Sequence, residues 1–457
     1  MPKIKKLSLM LGPALALLLG LFLQLQGHSM AASVTAGVTF WCAAWWIFEP
    51  VPIPFTSLLP LAAFPLTGVL TAQQVAQAYG HWLILLLMGG FMISKALARS
   101  GAHRRIALQM VHLFGGTSAL RLVLGFMAAS ALLSMWISNT ATTLMLLPVA
   151  LAVLERAPRT LAVPLLLGIA YGASVGGIGT PIGTPPNLIF MSVYGDSFGT
   201  TPSFIGWMGW GLPVVIVFIP LIALWLTRST RLSETVEVPD PGQWQVAEVR
   251  VMIVFALTAI AWVTRAAPFG GWKTWLNLPQ ANDASVALLA VIVLAVIPDG
   301  KKGRLLDWDS AGSIPWGVLI LFGGGISIAS AFVESGLATM IAGGMTAMAA
   351  LPVWLLIFLV CLGVTFLTEV TSNTATSSLL MPLLAAVAIA TDIDPRLLMV
   401  PAVMSASCAF MLPVATAPNA IIYGSGEVSV ATMVREGFFI NLVGALLISF
   451  VTYLLLG

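Results

Sequence analysis

Long apolar runs recur from one end of this sequence to the other, separated by short segments that carry most of the charged residues. Nine runs are uninterrupted, and they lie near residues 7–25, 33–48, 53–70, 82–99, 209–227, 250–264, 284–297, 314–333 and 437–456. Two more begin near 161 and 398 and are broken by Gly and Pro residues. Such runs indicate helices that cross a bilayer, so the pattern predicts an all-α polytopic membrane protein with about 11 transmembrane helices.

Two further apolar stretches, 122–154 and 352–391, carry a polar cluster at their centre. Residues 137–142 read ISNTAT, and residues 371–376 read TSNTAT. In the first stretch each apolar arm is only about 16 residues long, which is short for an ordinary span. We interpret each stretch as a re-entrant helical hairpin, which enters and leaves the membrane on one side and carries Ser-Asn-Thr at its tip.

The two broken spans contain more Gly and Pro than a continuous helix tolerates. The breaks read GGIGTPIGTPPN over 176–187 and LPVATAPN over 412–419. Irregular backbone at membrane depth must line a cavity or be buried in protein. Simpler explanations are that the breaks are ordinary kinks and that the Ser-Asn-Thr clusters only join helices to one another. A kink does not need so many Gly and Pro residues, however. The breaks and the Ser-Asn-Thr clusters also each occur twice.

The second half of the chain repeats the polar features of the first at a nearly constant offset. The Ser-Asn-Thr clusters that begin at Ser138 and Ser372 are 372 − 138 = 234 residues apart. The other matched pairs are Trp82 and Trp316, Gly89-Gly90 and Gly323-Gly324, Leu147-Pro148 and Met381-Pro382, and Thr184 and Thr416. We therefore predict an N-terminal helix (1–30), a first repeat (31–227), a cytoplasmic linker (228–249) and a second repeat (250–457), with one site built by both repeats.

The distribution of charge predicts how the repeats are oriented. Five spans per repeat is an odd number, so the second repeat is expected to be inverted relative to the first. With the N-terminus in the cytoplasm, only Arg265, Lys273 and Arg396 of the 20 Lys and Arg residues fall outside, a strong positive-inside bias. The first hairpin then opens to the cytoplasm and the second to the outside. The first apolar run exceeds the ~7–15 residues of a signal-peptide core, so we expect an uncleaved span, and the compact loops favour a bacterial inner membrane.

Composition excludes a soluble protein, and the lack of a partner for the one acid in a tip region argues against an enzyme. The chain is 59% hydrophobic and 8% charged, against about 25% charged in soluble domains. Its cysteines, Cys42, Cys361 and Cys408, lie in apolar segments, and we expect no disulfide. Glu369 is the one acid in a tip region and has no evident catalytic partner. Because Met135 occupies the matching position, we interpret Glu369 as a structural carboxylate and not as a proton carrier.

The tips and broken spans have the chemistry to bind an anion together with a cation. Helix N-termini attract anions, and C-terminal carbonyls attract cations. Hydroxyl and amide groups can donate to a carboxylate and can also offer oxygen to sodium. No Lys or Arg falls in either tip or either break. A dianion held there needs bound cations to offset its charge, which favours coupling to sodium.

These motifs resemble those of the divalent anion:sodium symporter family, which contains dicarboxylate and citrate carriers. The resemblance extends over essentially the whole chain, and its specific parts are the two Ser-Asn-Thr tips, Gly183–Asn187 and Thr416–Asn419. It implies a homodimer in which a scaffold domain holds the interface. It also implies an elevator mechanism, in which a transport domain containing both hairpins and both broken spans slides across the membrane.

The resemblance also implies roles for individual residues. At least two sodium sites are expected, one at Ser134, Ser138, Asn139 and Gly183, and the other at Thr368, Thr371, Asn373 and Ala415. Substrate carboxylates are expected to meet Ser138, Asn139, Thr140, Thr184, Ser372, Asn373, Thr374 and Thr416. Ala417 departs from the family pattern, which usually has proline there.

The expected function is sodium symport of C4-dicarboxylates such as succinate, malate or fumarate, and not enzymatic catalysis. Two alternatives of the same architecture remain open. One is an exchanger that swaps one di- or tricarboxylate for another, and the other is a sulfate transporter.

Overall fold

The computed structural model describes residues 3–115, 118–155, 157–230, 240–267, 269–344 and 351–457. The first half contains α1 (Lys3–Leu25), α2 (Met30–Phe48), α3 (Ile53–Ser57), α4 (Leu59–Thr67), α5 (Ala72–Tyr79), α6 (Trp82–Ser100), α7 (Ala102–Phe114), α8 (Ala119–Ser134), α9 (Asn139–Leu154), α10 (Ala162–Gly176), α11 (Pro185–Phe198) and α12 (Phe204–Thr227). Two 3₁₀ turns, Arg159–Leu161 and Gly177–Gly179, flank α10.

The second half contains α13 (Val246–Val263), α14 (Gly271–Trp275), α15 (Asp283–Val296), α16 (Trp308–Gly312), α17 (Trp316–Glu334), α18 (Leu337–Gly344), α19 (Val353–Thr368), α20 (Asn373–Thr391), α21 (Pro395–Ala406), α22 (Ala417–Gly424) and α23 (Val430–Leu456). In the described residues, nine helical segments are long and apolar enough to cross a membrane. The prediction of an all-α integral membrane protein is confirmed.

Some predicted boundaries differ from the observed ones for local reasons. The run 53–70 was expected to be one span, but it forms α3 and α4, which are separated at Leu58. Pro60 lies in the first turn of α4, where its missing N–H costs no intrahelical hydrogen bond. The predicted linker 228–249 ends earlier than expected, because Val246 already begins α13. Residues 231–239 of this linker lie outside the described residues. So does Arg156, which the positive-inside comparison counts on the cytoplasmic side.

Short helices were missed, because none is long enough to register as a span. The most informative is α7, whose buried side chains Ala102, Arg105, Leu108 and Val111 follow a helical period on one face. The Arg105 guanidinium lies 2.7 Å from the Glu248 carboxylate and donates to the Pro241 and Gly242 carbonyls at 2.8 Å. This buried ion pair ties α7 to the segment that enters α13.

The two repeats interlock around the hairpins. In the first repeat, α8 and α9 form a hairpin that packs against α10 and α12; in the second, α19 and α20 pack against α21 and α23. The partners are then exchanged: α11 packs against α20 of the second hairpin, and α22 packs against α9 of the first. Each hairpin therefore contacts the broken span of the other repeat, which brings both tips to one place.

Candidate functional site

Each hairpin turns through four residues, and its second arm begins at the Ser-Asn-Thr cluster. Ser138 is the N-cap of α9, and its Oγ accepts a hydrogen bond from the Ala141 amide at 3.2 Å. Ser372 occupies the N-cap position of α20. Because the first amides of a helix have no intrahelical partners and carry partial positive charge, both tips present groups suited to an anion.

The two tip asparagines are held by the same device in each repeat. Ser134 Oγ donates to Asn139 Oδ1 at 2.5 Å, and Thr368 Oγ1 donates to Asn373 Oδ1 at 2.7 Å. Thr368 Oγ1 also lies 3.0 Å from the Ala406 carbonyl. Ser134 and Thr368 are fully buried, so the hydroxyls expected to bind sodium lie behind the tips and fix the orientation of each asparagine amide.

A second pair of asparagines, which sequence reasoning did not place in the site, closes the two breaks. Asn187 Nδ2 donates to the Gly177 and Thr180 carbonyls at 2.9 and 2.8 Å. Asn419 Nδ2 donates to the Ala409 and Leu412 carbonyls, both at 3.0 Å. The signal was present in the sequence, since each break ends in Pro-Asn. Each amide satisfies two carbonyls left free where a helix stops.

The first break approaches its tip closely at Gly177. A Cβ added to Gly177 would lie 3.1 Å from Asn139 Oδ1 and 3.2 Å from the Gly183 carbonyl oxygen. These two oxygens, both expected sodium ligands, therefore face the same glycine. They are neutral oxygen donors, which suit a hard monovalent cation. No group of three His, Cys, Asp or Glu that could hold a metal occurs in the described ranges.

All eight residues expected to bind substrate lie in the wall of one cavity of about 890 Å³. Both tips and both breaks contribute, through Ser138, Asn139, Thr140, Thr184, Ser372, Asn373, Thr374 and Thr416. Of the other expected sodium ligands, Gly183, Thr371 and Ala415 also line it. Thr371 Oγ1 lies 2.5 Å from Thr376 Oγ1.

Glu369 is fully engaged in hydrogen bonds beneath the second tip. Its carboxylate accepts from the amides of Phe410, Met411 and Leu412 at 2.6, 2.9 and 3.0 Å and from Asn441 Nδ2 at 2.7 Å. The side chain is 3% exposed. This geometry agrees with a structural carboxylate that links the tip to the second break and to α23.

In the first repeat an uncharged side chain occupies the position that matches Glu369. Met135, which matches Glu369, packs on the first break, where a Cβ added to Gly179 would lie 2.8 Å from its Cε. The break is further held by Thr180 Oγ1, which donates to the Met135 carbonyl, and by Trp207 Nε1, which donates to the Ile178 carbonyl at 2.9 Å. The two breaks therefore share a shape and differ in what supports them.

Comparison with known proteins agrees with this architecture. A family model described as "Citrate transporter" matches residues 43–399. The sodium-dependent dicarboxylate transporter SdcS of Staphylococcus saprophyticus is 37% identical to this chain, over 98% of the chain and 91% of the relative. The protein of the same name from Staphylococcus aureus is 37% identical over 98% and 90%. The chain belongs to the divalent anion:sodium symporter family.

More distant members of the same fold are known as solved structures. The family member described here matches the YdaH transporter of Alcanivorax borkumensis with a TM-score of 0.61 and 17% identity, over 84% of this chain and 86% of the other. It matches MtrF of Neisseria gonorrhoeae with a TM-score of 0.59 and 14% identity, over 85% and 83%. At this identity the likeness concerns the fold alone.

Proposed function

We propose that this protein is a sodium-coupled symporter of C4-dicarboxylates. The observation that carries the proposal is that both Ser-Asn-Thr tips and both breaks line one and the same cavity. The names of the relatives, which align over nearly the full chain, support the same substrate class. The family to which the chain belongs is one of transporters.

The chemistry of the tips explains why sodium is needed. Hydroxyls, amides and helix N-termini surround the tips, and no basic residue lies in either tip or break. A dianion at this depth is costly unless cations accompany it. We assign one sodium to Ser134, Ser138, Asn139 and Gly183, and a second to Thr368, Thr371, Asn373 and Ala415.

The two-fold arrangement of donors suits a substrate with two carboxylates. Ser138, Asn139, Thr140 and Thr184 form one half-site, and Ser372, Asn373, Thr374 and Thr416 form the other. A C4-dicarboxylate such as succinate, malate or fumarate carries one carboxylate for each half-site. Both carboxylates then meet neutral donors, with sodium supplying the positive charge.

The shape of the cavity suggests the state that the molecule occupies. Besides the tips and breaks, its wall includes Ser94, Lys95, Ser313, Lys5 and Glu49. These positions belong to the basic-rich side of the protein, which the positive-inside rule assigns to the cytoplasm. We assign this conformation to the inward-open state of an elevator cycle, in a homodimer in the bacterial inner membrane with the N-terminus in the cytoplasm.

Uptake into proteoliposomes tests the function directly. Labelled succinate should accumulate under an inward sodium gradient and not when choline replaces sodium. Uptake that instead requires internal dicarboxylate, with no response to sodium, would establish the exchanger. Labelled sulfate that accumulates while succinate does not would identify an inorganic anion carrier.

A further inference from the structure

One face of α6 forms the wall of the passage between the tips and the basic side of the protein. The face consists of Leu87, Gly90, Phe91, Ser94, Lys95 and Ala98. The spacing of three and four residues is that of a single helical stripe. At 1.5 Å per residue, the stripe extends about 16 Å along the helix. Gly90 lies at the level of the site, since a Cβ added there would be 3.9 Å from Ile182 of the first break.

Charged side chains enter this passage only beyond the tips. Among the described residues that line the cavity, the charged ones are Lys5, Glu49 and Lys95. Both lysines are partly buried, whereas Glu49 is exposed at the end of α2. In the described part of the chain, neither ammonium has a carboxylate within the 4.0 Å of an ion pair. The passage therefore has a net positive charge that no internal ion pair neutralises.

We propose that Lys95, assisted by Lys5, forms a transient anion site through which the dicarboxylate passes on its way between the tips and the cytoplasm. The inference rests on the proposed function and adds a residue to it. At the tips the substrate depends on sodium for its charge balance. Once sodium leaves, a dianion is held by neutral donors alone. Lys95 lies five residues beyond Gly90, which is about 7.5 Å along the helix axis, so it offers the first fixed positive charge on the exit path.

The expected effect is confined to one side of the membrane. By Coulomb's law in water, one ammonium about 8 Å from a dianion increases the affinity for that dianion about fivefold. Loss of the Lys95 charge should therefore raise the half-saturating succinate concentration on the cytoplasmic side about fivefold at low ionic strength. The value on the external side should stay unchanged. Added salt should reduce the difference, because it screens charges in an open passage.

The test uses Lys95→Cys in the otherwise native chain, since Cys42, Cys361 and Cys408 are all buried. Uptake by intact cells measures the external side, and uptake by inside-out vesicles measures the cytoplasmic side. A cationic thiosulfonate reagent restores a positive charge at residue 95, and an anionic reagent reverses it. We expect cytoplasmic affinity to fall in the variant, to recover with the cationic reagent and to fall further with the anionic one. Lys302→Cys, at an exposed lysine outside the cavity wall, is the matched control and should respond to neither reagent.

Each other outcome contradicts the inference. Equal cytoplasmic affinities in wild type and variant, with sodium-driven uptake intact in the wild type, would leave the symporter standing and remove Lys95 from the path. Equal losses on both sides of the membrane that the cationic reagent does not reverse would show that the charge of Lys95 does not act on the cytoplasmic side, and would contradict the inference. Absence of sodium-driven uptake by the wild type would overturn the proposed function and this inference with it.

Discussion

At the scale of single residues, the site is a set of polar groups that hold one another in place. Ser134 with Asn139, and Thr368 with Asn373, form the same hydrogen bond 234 residues apart. Removing either amide leaves its buried hydroxyl without that acceptor, at a cost of roughly 1–3 kcal/mol. We expect Asn139→Ala and Asn373→Ala each to abolish most succinate uptake while the protein remains monodisperse.

Gln73→Ala is the control for that pair, because it removes an exposed amide on α5. It should transport like the wild type. Near-normal uptake by either tip variant would show that the two tips do not share one site.

Glu369 gives a different residue-scale prediction, because its carboxylate accepts four hydrogen bonds. In Glu369→Gln, one acceptor oxygen becomes an NH₂ donor that faces backbone N–H groups. Hydrogen bonds to a charged group are worth roughly 1.5–3 kcal/mol each, so we expect a clear fall in the melting temperature in detergent, together with loss of transport.

The matched acid is Glu427, which is exposed, and Glu427→Gln should melt with the wild type. A Glu369→Gln protein that keeps its melting temperature and loses only the pH dependence of transport would instead indicate a proton carrier.

Ala417 can now be placed at the first position of α22, directly after the N-cap Thr416. Pro185 occupies the same position in α11. Proline is favoured there because its fixed φ suits the helix and its N–H is not needed. Ala417→Pro should stabilise the protein by roughly 0.4–1 kcal/mol. It should also change the competition of succinate, malate and citrate against one labelled dicarboxylate. Superimposable competition profiles would show that Ala417 has no part in selectivity.

At the scale of elements, the last long helix of each repeat presses a glycine onto a break. A Cβ added to Gly211 in α12 would overlap the Ile178 carbonyl oxygen, and one added to Gly437 in α23 would overlap that of Phe410. Each carbonyl also accepts a side-chain hydrogen bond, from Trp207 at 2.9 Å and from Tyr171 at 2.7 Å. The position of each break is therefore set by a helix outside the hairpins.

This contact yields a prediction with a control in the same helix. Gly211→Ala should displace the first break and reduce both stability and sodium-driven uptake, since overpacking costs typically 1–3 kcal/mol. Gly209→Ala, two residues away with nothing within 4 Å of an added Cβ, should be neutral. Thermal melting and uptake of both variants would check this, and equal behaviour of the two would contradict it.

Whether a helix could be predicted from the sequence depends on its length and on how clearly its apolar residues repeat. The hairpins over 122–154 and 352–391 were recognisable because a Ser-Asn-Thr cluster interrupted each apolar stretch and, in the first stretch, each arm was short for a span. They correspond to α8 with α9 and to α19 with α20. By contrast, α7 was missed because its apolar face is narrow and Arg105 is buried by an ion pair with a residue 143 positions away. Sequence order gives no signal for such a pairing.

At the scale of the whole molecule, duplication predicted that two tips would meet, and the exchanged packing of α11 and α22 is how they do so. What the sequence did not indicate is the side to which the cavity opens. Alternate states of a transporter contain the same helices and differ only in how two groups of them are placed. Such states differ by a few kcal/mol, which no local pattern encodes.

The last prediction belongs to this scale, because it concerns the coupling of separate ligands. If sodium at the two tips supplies the charge that balances a dianion, each ligand must strengthen the binding of the other. Linkage requires the two effects to be equal: the factor by which saturating sodium lowers the dissociation constant of succinate equals the factor by which saturating succinate raises the overall association constant for the sodium ions. A coupling of about 1–3 kcal/mol corresponds to roughly 5–150-fold.

Calorimetric titrations of the purified protein, with each ligand in turn at saturation, measure both factors. Lys302→Cys should give the wild-type factors, because its side chain lies outside the cavity wall. Asn139→Ala should reduce both factors together, since Asn139 is assigned to the substrate and to one sodium. Succinate binding of equal strength in sodium and in choline would contradict the symporter, because a substrate that gains nothing from sodium cannot be driven by its gradient.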